Sequence, residues 1–225
     1  MSKDSEHSET FGWQECAERL EELLSQRTMV VSSSGKYFVS ADEVGESSTV
    51  EFFVPPCFPL TDETQSPIDY LEQLSDDLGE HLVVLIQAGA ASLGWWSDDD
   101  LIHHKVLKTY AVRGRGRAQT LYAKTKGKSR YGSRLRLRNA QQHLVDINEK
   151  IHGWWDETGP ADRIFYSCPQ RSWPELFSAR PAPPFEQRDK RLTKIPMHVH
   201  VPNSEELQRV RRELLRGRIV YRDPG

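Results

Sequence analysis

The sequence predicts an α/β domain in which a mixed β-sheet is flanked by helices. Segments with β-branched or alternating apolar residues are interleaved with segments whose apolar residues recur at helical spacing. Residues 82–88 form a continuous apolar run, which is typical of a strand buried on both faces. Residues 113–130 are rich in Gly, Lys and Arg and have no persistent period, so we expect a long exposed loop there.

Four segments carry the signals of helices. In residues 13–26 the apolar side chains fall on one face at helical spacing. Residues 66–78 are predicted to form a second helix, because Ser66 can cap its start and Pro67 can occupy its first position. The remaining helices are predicted over residues 135–154 and 204–215.

Strands are predicted between these helices, where alternating or β-branched residues are bounded by turn residues. In chain order they are residues 28–32, 36–40, 49–54, 82–88, 106–112, 163–167, 195–201 and 218–221. Residues 169–190 contain several prolines and few spaced aliphatic residues, so we expect a surface connection without regular structure.

The net charge of −3 conceals a strong segregation of charge along the chain. Residues 1–104 contain 21 acidic and 4 basic residues, whereas residues 105–138 contain 12 Lys and Arg and no acid. The remaining residues, 139–225, contain 14 basic and 12 acidic residues. Segregation of this kind indicates an electrostatic binding surface. We call residues 105–138 the basic segment.

Composition argues against several functional classes. Residues 1–9 are polar and acidic, unlike the apolar core of a signal peptide. The longest apolar stretch, residues 82–96, is interrupted and too short to span a bilayer. The three cysteines lie far apart without CxxC spacing, which indicates a reducing compartment and no structural zinc. We therefore expect a cytoplasmic protein with no membrane contact.

The basic segment has the composition of a nucleic-acid contact. Lys and Arg side chains pair with phosphates whatever the base sequence, and interleaved tyrosines can stack on unpaired bases. RNA is favoured over DNA, because no helix-turn-helix or zinc-finger spacing is present. The candidate RNA-binding residues are Arg113, Arg115, Arg117, Lys124, Lys126, Lys128, Arg130, Arg134, Arg136 and Arg138. The glycines expected to give the loop its flexibility are Gly114, Gly116 and Gly132.

Two blocks of the sequence resemble a known family. The first runs from Tyr110 to Gln119, Tyr-Ala-Val-Arg-Gly-Arg-Gly-Arg-Ala-Gln, and continues in residues 126–136. The second comprises Arg-Leu-Thr-Lys-Ile-Pro at residues 191–196, Pro202, and Glu-Leu-Gln-Arg-Val at residues 206–210. These blocks resemble the catalytic region and the closing strand and helix of the Vms-like release factors. Members of that family act in ribosome quality control and are related to the middle domain of the eukaryotic class-one release factor.

The resemblance implies an RNase H-like release-factor middle domain with a long basic catalytic loop. It also implies hydrolysis of the ester between a nascent peptide and tRNA on a stalled large ribosomal subunit, without metal or cofactor. Gln119 matches the family's catalytic glutamine, which would orient the attacking water. The implied partners are the large subunit, peptidyl-tRNA and rRNA, bound by a monomer. One departure is that Arg117-Ala118-Gln119 stands where ordinary release factors have Gly-Gly-Gln.

The resemblance also suggests how the chain is organised. Residues 1–10 are expected to be a flexible tail, and residues 11–80 an α/β part of unknown role packed on the same domain. Residues 81–225 would form the release-factor-like domain.

Other interpretations stay open at this point. The basic segment could be a solvated loop, could dock on the acidic first half of the chain, or could bind the ribosome without catalysis. A nuclease that cleaves tRNA near its acceptor end is a further alternative, for which Asp146 and Glu149 are candidate carboxylates. His198 and His200 could share a strand face, but no third metal ligand has suitable spacing.

Overall fold

The computed structural model of the chain describes residues 6–41, 49–61, 64–109 and 128–222. The strands are β1 Glu6–Gly12, β2 Met29–Val31, β3 Phe38–Ser40, β4 Thr49–Phe53, β5 Glu80–Gln87, β6 Ala90–Ser97, β7 Asp100–Lys108, β8 Arg163–Ser167, β9 Leu192–Lys194 and β10 Arg216–Arg222. The helices are α1 Cys16–Gln26, α2 Pro67–Gln73, α3 Lys128–Thr158, α4 Ser172–Ser178 and α5 Ser204–Leu214, and a 3₁₀ turn at Trp13–Glu15 precedes α1.

The chain divides into two compact units, and each contains one five-stranded sheet. The first unit comprises Met1–Leu78 and Val210–Gly225, and the second comprises Gly79–Arg209. The predicted α/β class is confirmed, but the strands are divided between two sheets rather than collected in one.

The sheet of the first unit is antiparallel, with the strand order β1-β10-β4-β3-β2. One of its faces packs on helices: Phe38 of β3 meets the ring of Tyr70 of α2 at 5.6 Å, and Cys16 of α1 lies against the Tyr70 hydroxyl. Gly217 of β10 leaves room on this face for the ring of Phe11. A Cβ atom at position 217 would lie 2.1 Å from that ring. Helix α1 buries Leu20 and Leu23, which lie on one face at helical spacing.

The sheet of the second unit is mixed, with the strand order β7-β6-β5-β8-β9. Strands β5, β6 and β7 are antiparallel neighbours, whereas β8 and β9 run parallel to β5. A two-residue turn at Ala88 and Gly89 joins β5 to β6, and Gly89 takes a positive φ of 82° that favours glycine.

Helix α3 covers one face of this second sheet. Its side chains Leu144, Ile147, Ile151 and Trp154 recur at helical spacing and are buried in the same core as the β5 residues of that face. These side chains form an apolar stripe about 100° wide on the helix, which can face only one neighbouring element. The stripe therefore determines which side of α3 packs on the sheet.

Helix α4 is attached to α3 by a buried polar residue. The Asn148 amide, which is fully buried, donates hydrogen bonds to the carbonyl oxygens of Leu176 at 2.9 Å and Pro181 at 2.8 Å. One turn later, His152 Nε2 lies 2.6 Å from the carbonyl oxygen of Ala182. The Leu176 carbonyl group is one that the end of α4 leaves without a helical partner, whereas Pro181 and Ala182 belong to the segment that follows α4.

Several predicted elements are confirmed. The helix over residues 13–26 corresponds to the 3₁₀ turn and α1. The strands at residues 28–32, 36–40, 49–54, 82–88, 163–167 and 218–221 correspond to β2, β3, β4, β5, β8 and β10. The Ser66 side chain caps α2 by accepting a hydrogen bond from the Asp69 N–H. Helix α5 corresponds to the prediction for residues 204–215.

Other predictions were wrong at the ends of the chain and of α2. The flexible tail predicted for residues 1–10 is contradicted from Glu6 onward, because Glu6–Gly12 pairs with β10. Helix α2 ends at Gln73 rather than near residue 78, because Leu74 has an extended backbone with ψ at 130°. Residues 210–225 lie in the first compact unit, and the release-factor-like domain over residues 81–225 stays a prediction.

The remaining corrections lie in the second half of the chain. Helix α3 begins at Lys128, so Lys128, Arg130, Gly132 and Arg134 lie in a helix rather than in the expected loop. The strand predicted over residues 106–112 is β7, which begins earlier, at Asp100. The parallel edge strand is Leu192–Lys194, not residues 195–201. The connection over residues 169–190 contains α4 and buries Leu176 and Phe185. Within the described residues, no helix combines the length and apolarity needed to cross a membrane.

Candidate functional site

The parallel strands of the second unit end at one common edge of the sheet, which we call the carboxyl edge. Strand β5 ends there at Gln87, and β7, which is antiparallel to β6, ends there at Lys108. Because β8 and β9 run parallel to β5, the segments that follow them leave the sheet at this edge as well. In α/β proteins the crevice at the carboxyl ends of parallel strands is the usual place for a ligand.

The basic segment enters and leaves through this edge. Lys108 lies opposite Ala90 in the β6–β7 ladder, and the N–H of Thr109 donates to the carbonyl oxygen of Gly89 at 2.9 Å. The chain resumes at Lys128 in α3. Gln119, with Arg113, Gly114, Arg115, Gly116, Arg117, Lys124 and Lys126, belongs to residues 110–127 and lies outside the described residues. Their roles therefore stay predictions.

The last part of the basic segment forms the start of helix α3. From Lys128 to His143 the helix is about 22 Å long at 1.5 Å per residue. Arg138 is exposed. Five of the ten candidate RNA-binding residues thus lie in α3. Arg136 and Arg138 were expected in a helix, whereas Lys128, Arg130 and Arg134 were expected in the loop.

His143 joins this helix to the carboxyl edge. Its side chain is 5% exposed and lies beside the backbone of Ala90, the residue opposite Lys108. Burial lowers the pKa of His143 below its ordinary value of 6.5, and this effect outweighs the Ala90 backbone and the nearby Asp146 carboxylate, which raise it. His143 is therefore neutral at neutral pH. Sequence reasoning missed this residue, because nothing in its local pattern distinguishes it from a surface histidine.

A second set of polar contacts fixes the segment between β9 and α5. The side-chain amide of Gln87 donates to the carbonyl oxygens of Val199 at 2.7 Å and His200 at 2.8 Å. The Glu206 carboxylate accepts from the His200 N–H at 2.6 Å, and Arg209 donates to the His198 carbonyl oxygen at 2.8 Å. These bonds hold the segment at the end of β5, beside the point where the basic segment begins.

Glu206 is the charged centre of this set. Hydrogen bonds from Arg209 lower the pKa of Glu206 to about 2, and the N–H and side chain of His200 act in the same direction. Asn203 caps α5, because its side-chain oxygen accepts from the Glu206 N–H at 2.7 Å. Glu206 is paired to Arg209. The other exposed charges at the edge include the positive Lys108, Arg138, Arg171 and Lys194 and the negative Glu175.

The alternative constellations are not assembled as sites in the described part of the chain. That part contains no group of three or more His, Cys, Asp or Glu residues that could hold a metal ion. Asp146 accepts a hydrogen bond from Gln142 on its own helix, and Glu149 is exposed. His198 and His200 do lie together, with ring centroids 5.0 Å apart. Among the described residues nothing draws these groups into a two-metal nuclease centre.

Comparisons with known proteins agree on one family. A family model described as the Bacteroidetes VLRF1 release factor matches residues 81–222. The human protein named tRNA endonuclease ANKZF1 is 30% identical over 147 residues, which is 64% of this chain and 20% of that protein. The chain therefore spans about a fifth of the length of this relative.

A solved structure described as the Vms1 mitochondrial localization core is similar in fold. The TM-score is 0.50, the two sequences are 13% identical, and the match covers 89% of this chain and 80% of that one. The structural similarity therefore extends beyond residues 81–222 to residues that precede them in the chain.

Proposed function

The chain belongs to the family of the Bacteroidetes VLRF1 release factor, and on this basis we propose that it is a peptidyl-tRNA hydrolase. It would free nascent chains from tRNA on stalled large ribosomal subunits. The observation that carries the proposal is that the family match, residues 81–222, includes the basic segment with Gln119. The basic charge around the carboxyl edge supports RNA as the surface on which this segment acts.

In the proposed reaction, water attacks the carbonyl carbon of the ester that joins the peptide to the tRNA ribose. The bond between this carbon and the ribose oxygen breaks, and the ribose oxygen receives a proton. Gln119 cannot act as a general base near neutral pH, but its amide can accept a hydrogen bond from water and donate one. Its contribution is therefore to position the water, while proton transfer falls to the tRNA sugar hydroxyl or the ribosome.

The described residues supply rigid supports for this chemistry. Residues 110–127 are attached at one end to β7, whose last residue lies in a ladder, and at the other end to α3. The buried His143 of α3 lies beside Ala90 of β6, close to the first attachment point. A reactive segment carried by rigid elements can be placed more accurately than one carried by long loops.

A release assay tests the proposal directly. Stalled large subunits carrying labelled peptidyl-tRNA would be incubated with the wild type, Gln119→Ala and Gln187→Ala. Gln187 is an exposed glutamine in the connection between α4 and β9 and serves as the matched control. We expect Gln119→Ala to slow peptide release by about 100-fold, because a misplaced water costs about this factor. Gln187→Ala should release peptide at the wild-type rate.

The products distinguish the proposal from its alternatives. Free peptide with intact tRNA, lost only in Gln119→Ala, is the expected result. Ribosome binding without release by the wild type would contradict hydrolysis and leave a non-catalytic RNA-binding protein. The same assay tests the proposed partners, the large subunit, peptidyl-tRNA and rRNA.

A tRNA endonuclease is the second candidate, favoured by the name of the human relative. In that case the peptide would remain attached to a shortened piece of tRNA. Gel analysis of labelled tRNA therefore separates the two reactions, since ester hydrolysis leaves tRNA at full length. Residual activity after treatment with EDTA would further argue against a nuclease that uses two metal ions.

We also propose that the protein acts in the cytoplasm as a monomer, since stalled subunits are found there. Fractionation of cells followed by detection of the protein would test the location. Light scattering of the purified chain would test the monomer, for which a mass near 25.9 kDa is expected.

A further inference from the structure

The sheet of the first unit has one face turned away from its helices, which we call the outer face. On β10, Gly217 and Ile219 point toward the helices, since Gly217 lies against Phe11 and Ile219 is buried. Because side chains alternate along a strand, Arg216, Arg218 and Arg222 point to the outer face. Strand β10 therefore carries three arginines on the outer face, with the buried Val220 between Arg218 and Arg222.

Aromatic rings lie beside these arginines. The rings of Tyr37 and Phe53 are stacked, with centroids 4.6 Å apart and an angle of 29° between their planes. Phe53 is directly opposite Arg218 in the ladder, and the Arg218 guanidinium lies 4.7 Å from the centre of its ring. A guanidinium over an aromatic face is a common arrangement at surfaces that stack on bases.

The outer face is accessible and basic. The side chains of Arg216 and Arg222 are 53% and 51% exposed, and Arg218 is exposed as well. On the neighbouring β1, Ser8 and Thr10 are exposed on the same face. Glu51 on β4 is 14% exposed and pairs with Arg222 at 3.1 Å. Arg216 likewise lies 3.5 Å from the carboxylate of Glu213. Three arginines thus stand beside two glutamates.

We propose that the outer face binds single-stranded RNA. A base would stack on the side of the Tyr37 ring that is turned away from Phe53, and phosphates would pair with Arg216, Arg218 and Arg222. Along β10 the first and last of these arginines are about 20 Å apart, at 3.4 Å per residue, which is long enough for several nucleotides. The choice of RNA over DNA rests on the proposed function, whereas the stacking surface and the charge rest on the structure alone.

The position of this surface in the chain makes the proposal independent of the catalytic segment. Tyr37 and Phe53 precede residue 81, where the family match begins, and none of these residues belongs to the basic segment. The outer face would add a second RNA contact that follows a strand by charge and stacking. Such contacts tolerate many sequences, because every base has a π-face and every nucleotide a phosphate.

Cross-linking of the full chain would locate the contact. The probe is a labelled oligouridine of about twelve nucleotides, which is within the range bound by single sheet platforms. After ultraviolet irradiation, peptides joined to the probe would be identified by mass spectrometry. We expect cross-links at Tyr37 or Phe53, in addition to any in the basic segment. Cross-links confined to the basic segment would overturn the proposal.

Affinity measurements with the same probe would assign the side chains. Tyr37→Ala should weaken binding about tenfold through lost stacking, and Tyr37→Phe should restore it. Arg218→Ala should lower the salt dependence of binding by about one ion. Arg212→Ala, which removes an exposed arginine from α5, is the control for charge and should change binding less. Because Arg218 is exposed, the Arg218→Ala variant is expected to fold. A change in its binding can therefore be attributed to the lost side chain.

The outcomes separate this proposal from the proposed function. If wild type releases peptide but Arg218→Ala and Tyr37→Ala bind the probe normally, the outer face does not bind RNA and the hydrolase proposal survives. If these variants lose only ribosome association and not the probe, a ribosomal protein occupies the face, which also overturns the proposal. If release fails while cross-links at Tyr37 or Phe53 appear, the outer-face proposal stands and the hydrolase proposal fails.

Discussion

At the scale of single residues, two buried polar side chains of α3 contact other elements of the second unit. His143 is buried beside Ala90 at the carboxyl edge, and the buried Asn148 donates hydrogen bonds to the carbonyl oxygens of Leu176 and Pro181. The bond to Leu176 is buried, so water cannot easily replace it. One helix thereby positions both the end of the basic segment and α4.

Asn148→Ala should destabilise the second unit. The change removes two hydrogen bonds and leaves the buried carbonyl oxygen of Leu176 and the part-buried one of Pro181 without these donors. We expect the free energy of unfolding to fall by about 2–4 kcal/mol, as is usual for buried groups left unpaired. Urea denaturation measures this, with Gln142→Ala as an exposed control on the same helix. A loss for Asn148→Ala no larger than for the control would contradict this role.

At the scale of elements, close packing determines how α5 lies on β6. A Cβ atom at Gly94 would lie 2.4 Å from the Trp96 ring and 3.0 Å from Leu207 of α5. Only glycine therefore lets the indole ring and the helix approach the strand this closely. Gly153 in α3 is different, because a Cβ atom there would meet nothing within 4 Å.

Two Gly→Ala substitutions should accordingly have opposite effects. Gly94→Ala should lower the free energy of unfolding by about 1–3 kcal/mol, since the Trp96 ring must move. Gly153→Ala should raise it by about 0.5–1 kcal/mol, since alanine restricts the unfolded chain and favours helix. Thermal unfolding of the two variants beside the wild type checks both signs. Equal shifts of the unfolding temperature in the same direction would show that a Cβ atom at Gly94 does not clash with Trp96 and Leu207.

At the scale of the whole molecule, pairing of charges sets the response to acid. The pKa of Glu206 is lowered to about 2 by Arg209, and that of Asp189 to about 2 by Arg191. The pKa of His143 is lowered by burial. In all three cases the unfolded chain binds the proton more readily, so stability is lost as the pH falls.

Acid unfolding should therefore proceed in two ranges of pH. The first loss begins below about 6.5, where His143 of the unfolded chain becomes protonated. The second lies between about 4.5 and 2, where Glu206 and Asp189 lose their pairing. For Glu206 the loss is at most about 3 kcal/mol. Urea denaturation at a series of pH values measures both ranges.

Two variants assign these ranges. His143→Asn should flatten the first range, and Glu206→Gln should reduce the second. A stability curve that stays unchanged in shape with either variant would show that other groups control the response to acid.

Local patterns in the sequence predicted several helices and strands, the segregation of charge along the chain and the family. Helical spacing predicted α1 and α5, the apolar run at residues 82–88 predicted β5, and Ser66 predicted the start of α2. These signals act between near neighbours in the chain, so they can be recognised without the fold. The resemblance that singled out Gln119 also rested on short blocks of sequence, and the family match covers them.

The pairing of strands that are distant in the sequence became apparent from the tertiary structure. Strand β1 looks like a polar tail until β10, more than 200 residues later, supplies its hydrogen-bond partners. Strand β9 is Leu192–Lys194 because those residues meet β8, whereas residues 195–201 hydrogen-bond side chains of Gln87, Glu206 and Arg209. Neither His143 at the carboxyl edge nor the arginine row beside Phe53 has a local signal. Each depends on contacts between residues far apart in the chain, which hydrophobic periodicity does not encode.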